Sequence, residues 1–176
     1  MMKIKDRIFL GIVTGVIGSL PGRLLNAYEY RVGLTEVKYG QMGANLFVNE
    51  KQINTRGGRI IGAITNGILT GLMGITSVYV LSLTGRDKAI IKGAGVGSLF
   101  WLGLFGLTSK AGFVHKSQKP LTSLLGLVDH IIFGSLCGLT ASRLGDDSLF
   151  PDTRLQNPEE KMPLVSASQE QREKDF

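Results

Sequence analysis

The sequence predicts an all-α, polytopic membrane protein: a four-helix transmembrane bundle with glycine-rich packing seams and a disordered acidic C-terminal tail. Three observations carry this. The run from Ile60 to Leu83 holds no charged side chain, and at about 1.5 Å of rise per residue such a helix crosses a hydrocarbon core roughly 30 Å thick. Three further apolar stretches accompany it. Charge is also segregated: residues 1–145 carry 16 basic and 6 acidic side chains, a balance of +10, whereas residues 146–176 carry 4 and 8, a balance of −4. The chain therefore divides into a transmembrane domain over 1–145 and a polar tail over 146–176.

The first span is expected over about residues 8–28. Lys3, Lys5 and Arg7 before Ile8–Leu20 resemble the start of a signal peptide. No small-x-small cleavage site follows, so an uncleaved helix is the expectation. Its uncharged core, Ile8 to Gly22, is 15 residues, short for a span. Arg23 would lengthen it by reaching for headgroups, with Tyr28 and Tyr30 at the interface. Pro21 should kink or end the helix, because it lacks an amide donor and crowds the preceding turn. Residues 34–48 are apolar but too short to cross, and read as an amphipathic helix on the membrane surface or over the bundle. Asn54-Thr55 with Gly57-Gly58 should break the chain before the second span, 58–83. The turn Thr84-Gly85-Arg86-Asp87-Lys88 then sends the third span, 89–108, back antiparallel. Ser109 to Lys119 is a basic loop. Pro120 suits the first position of the fourth span, 120–144, where its missing donor is not needed, and Gly145 caps it. Beyond, Pro151, Pro158 and Pro163 punctuate a polar sequence too poor in apolar residues to offset its ordering entropy. Leu149-Phe150-Pro151 is the exception, expected to tuck against the end of the bundle.

Glycine placement supplies the packing. There are 24 glycines in 176 residues, about twice the usual rate. Gly11, Gly15, Gly18 and Gly22 make one stripe on the first helix. Gly67, Gly71 and Gly74, with Ala63, make another on the second. Gly126, Gly134 and Gly138 lie along the fourth. Membrane helices gain little by hiding side chains from lipid, so small residues matter because they let backbones approach. A tightly packed bundle is the plain reading. A homo-oligomeric interface is the sharper one, since four helices carry more small-residue faces than one bundle needs. A glycine-lined conduit is a third.

Three polar residues stand inside the apolar runs: Asn66, Asp129 and His130. His130 shares the stripe Gly126–Gly134–Gly138 and so faces a helix neighbour, with Cys137 near the same face. Asp129 is rotated about 100° from it. A carboxylate at that depth should be paired, protonated or near water. Two readings follow. One is an interhelical hydrogen-bond clamp. The other is a proton or ion relay, although transport sites usually carry more ionisable groups and a broken helix.

Other classes are excluded or disfavoured. The basic residues sit at the ends of apolar runs, where they orient the chain and attract anionic headgroups, so nucleic-acid binding is not expected. One cysteine and two histidines, His115 and His130, leave no metal site of the usual kind. Phosphate-loop, nucleophile-elbow and HExxH motifs are missing. Gly93-Ala-Gly-Val-Gly97 lacks the strand and acidic residue of a dinucleotide loop, so helix packing explains it better. Neither catalysis nor a cofactor is expected.

Tyr79-Val-Leu-Ser-Leu-Thr-Gly-Arg-Asp-Lys88, and Asp129-His130 with Phe133-Gly134 and Ala141-Ser-Arg-Leu-Gly-Asp-Asp-Ser-Leu-Phe150, carry a resemblance. Over roughly residues 8–152 the chain resembles small uncharacterised four-helix membrane proteins of spore-forming Firmicutes. That resemblance implies a bacterial cytoplasmic membrane and supplies no ligand or site. Four spans place both termini on one side. Flanking basic residues divide eight against eight between the sides, and the first helix leans the termini toward the cytoplasm. The expected role is a non-enzymatic scaffold or accessory subunit. It would meet the lipid bilayer, further copies of itself, or a membrane or cytoplasmic protein through helix faces or the tail. The alternative is a small oligomeric proton or ion conduit using Asn66, Asp129 and His130.

Overall fold

The computed structural model describes residues 3–107, 110 and 119–151. Helix α1, Arg7–Arg31, begins where the Asp6 carboxylate accepts from the Phe9 amide at 2.6 Å, satisfying one donor of the open first turn. It continues through Pro21 for ten further residues, where an end or kink was expected. Proline removes one donor and leaves the rest of the ladder intact. Both flanking turns are also held by packing, with Gly18 against Cys137 and Phe133 and Gly22 facing the Asp129 carbonyl.

Within residues 34–48, where one short helix was expected, α2 covers Tyr39–Asn45, and a further single turn, α3 (Glu50–Ile53), follows beyond that interval. Helix α4, Arg56–Thr84, starts at Thr55, whose hydroxyl accepts from the Gly58 amide at 3.1 Å. The break is therefore Asn54-Thr55 alone, and Gly57 and Gly58 lie in the first helical turn. Gly85, at φ 87°, ends α4 in a conformation that favours glycine. After the short turn come α5, Ala89–Trp101, and a continuous π-helical segment, Leu102–Leu107. Helix α6, Pro120–Leu144, has proline in its first turn as expected. A 3₁₀ turn, Asp147–Leu149, follows. Most of the basic loop, and the tail from residue 152 onward, lie outside the described residues.

Among the described residues, four helical segments are long and apolar enough to cross a membrane: Arg7–Arg31, Arg56–Thr84, Ala89–Leu107 and Pro120–Leu144. Helix α1 packs between α4 and α6, α5 packs chiefly on α6, and α2 lies on α4. The pairs α1–α4, α1–α6 and α5–α6 run antiparallel, and glycines mark their closest approaches. A Cβ at Gly74 would strike the carbonyl of Gly11, and one at Gly93 the carbonyl of Gly134. Likewise Gly97 lies against the His130 carbonyl, Gly138 against that of Ala89, and Gly62 against that of Gly40. Gly67 and Gly71, by contrast, have nothing within 4 Å of where a Cβ would stand.

The two ends of the bundle differ. At the end holding the N-terminal segment and the α4–α5 turn, Leu10, Val78, Leu81, Ala89 and Ala141 form a buried apolar cluster with Leu149 and Phe150. Ile4 forms a parallel bridge with Gly145 there, the one strand-like pairing among the described residues. Toward the opposite end, under α2, the buried residues turn polar: Asn26, Glu29, Thr35, Thr122, Asp129 and His130.

Candidate intramembrane cavity

Beneath α2 the four long helices leave a cavity of about 90 Å³. Asn66, Asp129 and His130 all line it, so the three polar residues singled out from the sequence meet in one place. The remaining wall is mainly apolar: Leu69 and Met73 from α4, Phe100 and Phe105 from α5 and its π-helical extension, and Phe133 from α6. From above, α2 contributes Tyr39 and Met42. Arg23, an exposed residue of α1, stands at its edge.

Asp129 and His130 do not bond to each other. Asp129 is 2% exposed, and its Oδ2 accepts from the Tyr39 hydroxyl at 2.5 Å. Its Oδ1 is buried without a hydrogen-bond partner among the described residues, as is the hydroxyl of Thr122. Successive helix positions are rotated by about 100°, so His130 takes a different neighbour. Its Nδ1 lies 2.7 Å from the Gly126 carbonyl one turn earlier. A carbonyl only accepts, so Nδ1 carries a proton, and in the neutral ring Nε2 is left with its lone pair. The ring is held edge-on by Tyr39 and by Phe105, at centroid distances of 5.8 and 5.6 Å. Phe105 stacks in turn on Trp101, whose indole N–H donates to the Ser123 carbonyl at 3.0 Å. Gly126 leaves the space these rings occupy, since a Cβ there would come within 3.3 Å of Phe105.

Tyr39, the closest partner of Asp129, is the residue that sequence reasoning missed. It lies in the connection, outside the four expected spans, and nothing in its spacing ties it to position 129. Asn26 positions it: the Tyr39 amide donates to Asn26 Oδ1 at 3.1 Å, and Asn26 Nδ2 donates to the Val37 carbonyl at 3.3 Å. Burial first, then the hydrogen bond to Asp129 and the charges of Asp129 and Glu29, push the Tyr39 phenol well above its ordinary range. Glu29, 4% exposed, lines a smaller adjoining cavity with Asn26, Tyr39 and Thr122.

Cys137, fully buried, donates weakly to the Thr14 carbonyl at 3.5 Å, on the side of the cavity toward the apolar cluster. No group of three or more metal-ligating side chains occurs among the described residues. No protein-family profile, curated protein or solved structure matches the chain.

Proposed function

We propose that this is a non-catalytic integral membrane scaffold or accessory subunit that binds another transmembrane helix through an outer face of α4. The observation behind this is the split among the glycines of that helix. Gly62 and Gly74 are filled by neighbouring backbone, whereas Gly67 and Gly71 face open space. Exposed Ile60, Ile64, Ile68 and Leu72 accompany them on the surface of α4. Glycine in a helix interior is unfavourable by roughly 0.5–1 kcal/mol relative to alanine. In lipid an outward glycine recovers that only where a second backbone approaches. A second copy of the chain is the partner to test first, and the bacterial cytoplasmic membrane with cytoplasmic termini belongs to the same proposal.

The test is energy transfer between donor- and acceptor-labelled copies in vesicles, diluted with lipid. Wild type should show transfer that falls on dilution. Gly67→Leu with Gly71→Leu should abolish it without lowering thermal stability, because nothing occupies the space the new side chains enter. Transfer that survives both substitutions overturns the reading.

A conduit is the second reading, favoured by the unpartnered Oδ1 of Asp129. Against it stands the buried apolar cluster of Leu10, Val78, Leu81, Ala89, Ala141, Leu149 and Phe150 at the other end of the bundle. Cys137, between the two, is the reporter. Labelling by an impermeant thiol reagent in oriented vesicles would favour the conduit. Protection until denaturation would favour a dry bundle.

A further inference from the structure

The polar groups of the cavity are unequal in kind, and this defines what it accepts. Asp129 offers oxygen acceptors and His130 an Nε2 acceptor, because its Nδ1 is committed to the Gly126 carbonyl. The neutral polar groups on the wall are Asn66, Ser19, Thr70 and Tyr39, of which Ser19 already donates to the Val16 carbonyl and Tyr39 to Asp129. Among the described residues, the one cationic side chain touching the cavity, Arg23, is exposed, so its charge is screened by headgroups or water. The Asp129 carboxyl is enclosed, and its Oδ1 lacks a donor among the described residues. Leaving such an oxygen bare is costly, and a positively charged donor compensates it best. Around these acceptors stand the faces and edges of Tyr39, Phe100, Phe105 and Phe133, and aromatic rings attract cations through their quadrupole.

We infer that the cavity is a binding site for a small hydrophobic ammonium ion, its N–H groups directed at Asp129 and His130 and its alkyl part among the phenylalanines. A volume of about 90 Å³ limits the guest to a short alkyl chain, since a dry cavity of about 150 Å³ is what admits benzene. Engaging Oδ1 requires a small rotation of the Asp129 carboxylate toward the cavity, because that oxygen is fully covered.

The chain supplies its own reporter. Its one tryptophan, Trp101, stacks on Phe105 at 6.4 Å, and Phe105 forms part of the wall. The experiment titrates the full chain in nanodiscs with ethylammonium, ethanol and acetate, reading Trp101 fluorescence. Ethylammonium should give a saturable change and acetate none, with ethanol weaker by about tenfold or more for want of charge assistance. Asp129→Asn should weaken ethylammonium binding by about tenfold or more as well. Leu69→Phe, which fills the cavity with an apolar group, should abolish the response while thermal unfolding stays cooperative. Leu69→Phe keeps the inference testable should Asp129→Asn fail to fold. A response linear in concentration and common to all three compounds is bulk partitioning, and overturns the inference. Equal saturable binding of ethanol and ethylammonium also overturns it, because the site would then select apolar bulk and not charge. The outcome is independent of the α4 contact, which Gly67 and Gly71 report.

Discussion

Tyr39 and Asp129 are 90 positions apart, and their hydrogen bond fastens the short α2 to the buried side of α6. Removing the hydroxyl alone leaves both oxygens of a nearly inaccessible carboxylate without a donor. Tyr39→Phe should therefore cost about 1–3 kcal/mol, more than an ordinary net hydrogen bond, while keeping the edge contact to His130. Adding Asp129→Leu should recover much of that loss, since replacing both partners by apolar groups leaves no bare acceptor. Reversible denaturation of the three variants in mild detergent gives the cycle, and additive losses would show that the pair does not act as a unit. The same phenol sets an alkaline limit. Its folded-state value is raised by burial and by Asp129, so its contribution is complete below the unfolded value of about 10 and fades as pH rises beyond it. Stability should decline above that pH in wild type and less steeply in Tyr39→Phe, with ultraviolet absorbance following phenolate formation.

At the scale of the element, glycines of one helix have opposite duties. On α5, Gly93 touches the Gly134 backbone, whereas Gly95 faces open space. Gly93→Ala should push α5 from α6 and cost about 1–3 kcal/mol, the usual range for overpacking. Gly95→Ala should be neutral or stabilise by up to about 1 kcal/mol through helix propensity. Chemical or thermal denaturation separates the two, and equal effects would deny the close approach. This split also marks what the sequence could reveal. Uncharged runs show where helices lie, because lipid and length decide that locally. They do not show which side of a glycine stripe is filled, because Gly67 and Gly74 belong to one stripe yet meet open space and a backbone respectively. Asn66, Asp129 and His130 were legible as polar residues in apolar surroundings. Tyr39 was not, since its burial comes from the way residues 31–38 fold back over the helix ends. The run of α1 past Pro21 to Arg31 agrees with a span expected to reach residue 28, and Gly18 and Gly22 pack against α6 on either side of the proline.

For the whole molecule, the closed end is fastened by a clasp that draws on three distant parts of the chain. Lys3 and Arg86 both reach Oδ1 of Asp147, at 2.9 and 2.6 Å. Ile4 donates to the Leu144 carbonyl and accepts from the Asp146 amide, each at 2.9 Å. Arg86 also lies 5.2 Å from the ring centroid of Phe150, which with Leu149 covers the apolar cluster. Hydrogen bonds from Lys3 and Arg86 hold the Asp147 carboxyl below the usual carboxylate range. Its contribution is accordingly present above the unfolded value of about 3.9 and is lost as pH falls through the lower folded value. Because these ion pairs are open to solvent and salt, their loss should loosen the end without unfolding the bundle. Asp147→Asn should quicken hydrogen exchange at the Ile4 and Asp146 amides while barely moving the thermal midpoint. Strongly acidic buffer or high salt should do the same to wild type and add little to the variant. Exchange at Ile4 that stays slow in Asp147→Asn would show that the backbone bridge to Gly145 holds this end unaided. A midpoint that falls sharply would instead mean that the seal over Leu10, Val78 and Leu81 depends on the charges, tying the closed end of the bundle to a single exposed carboxylate.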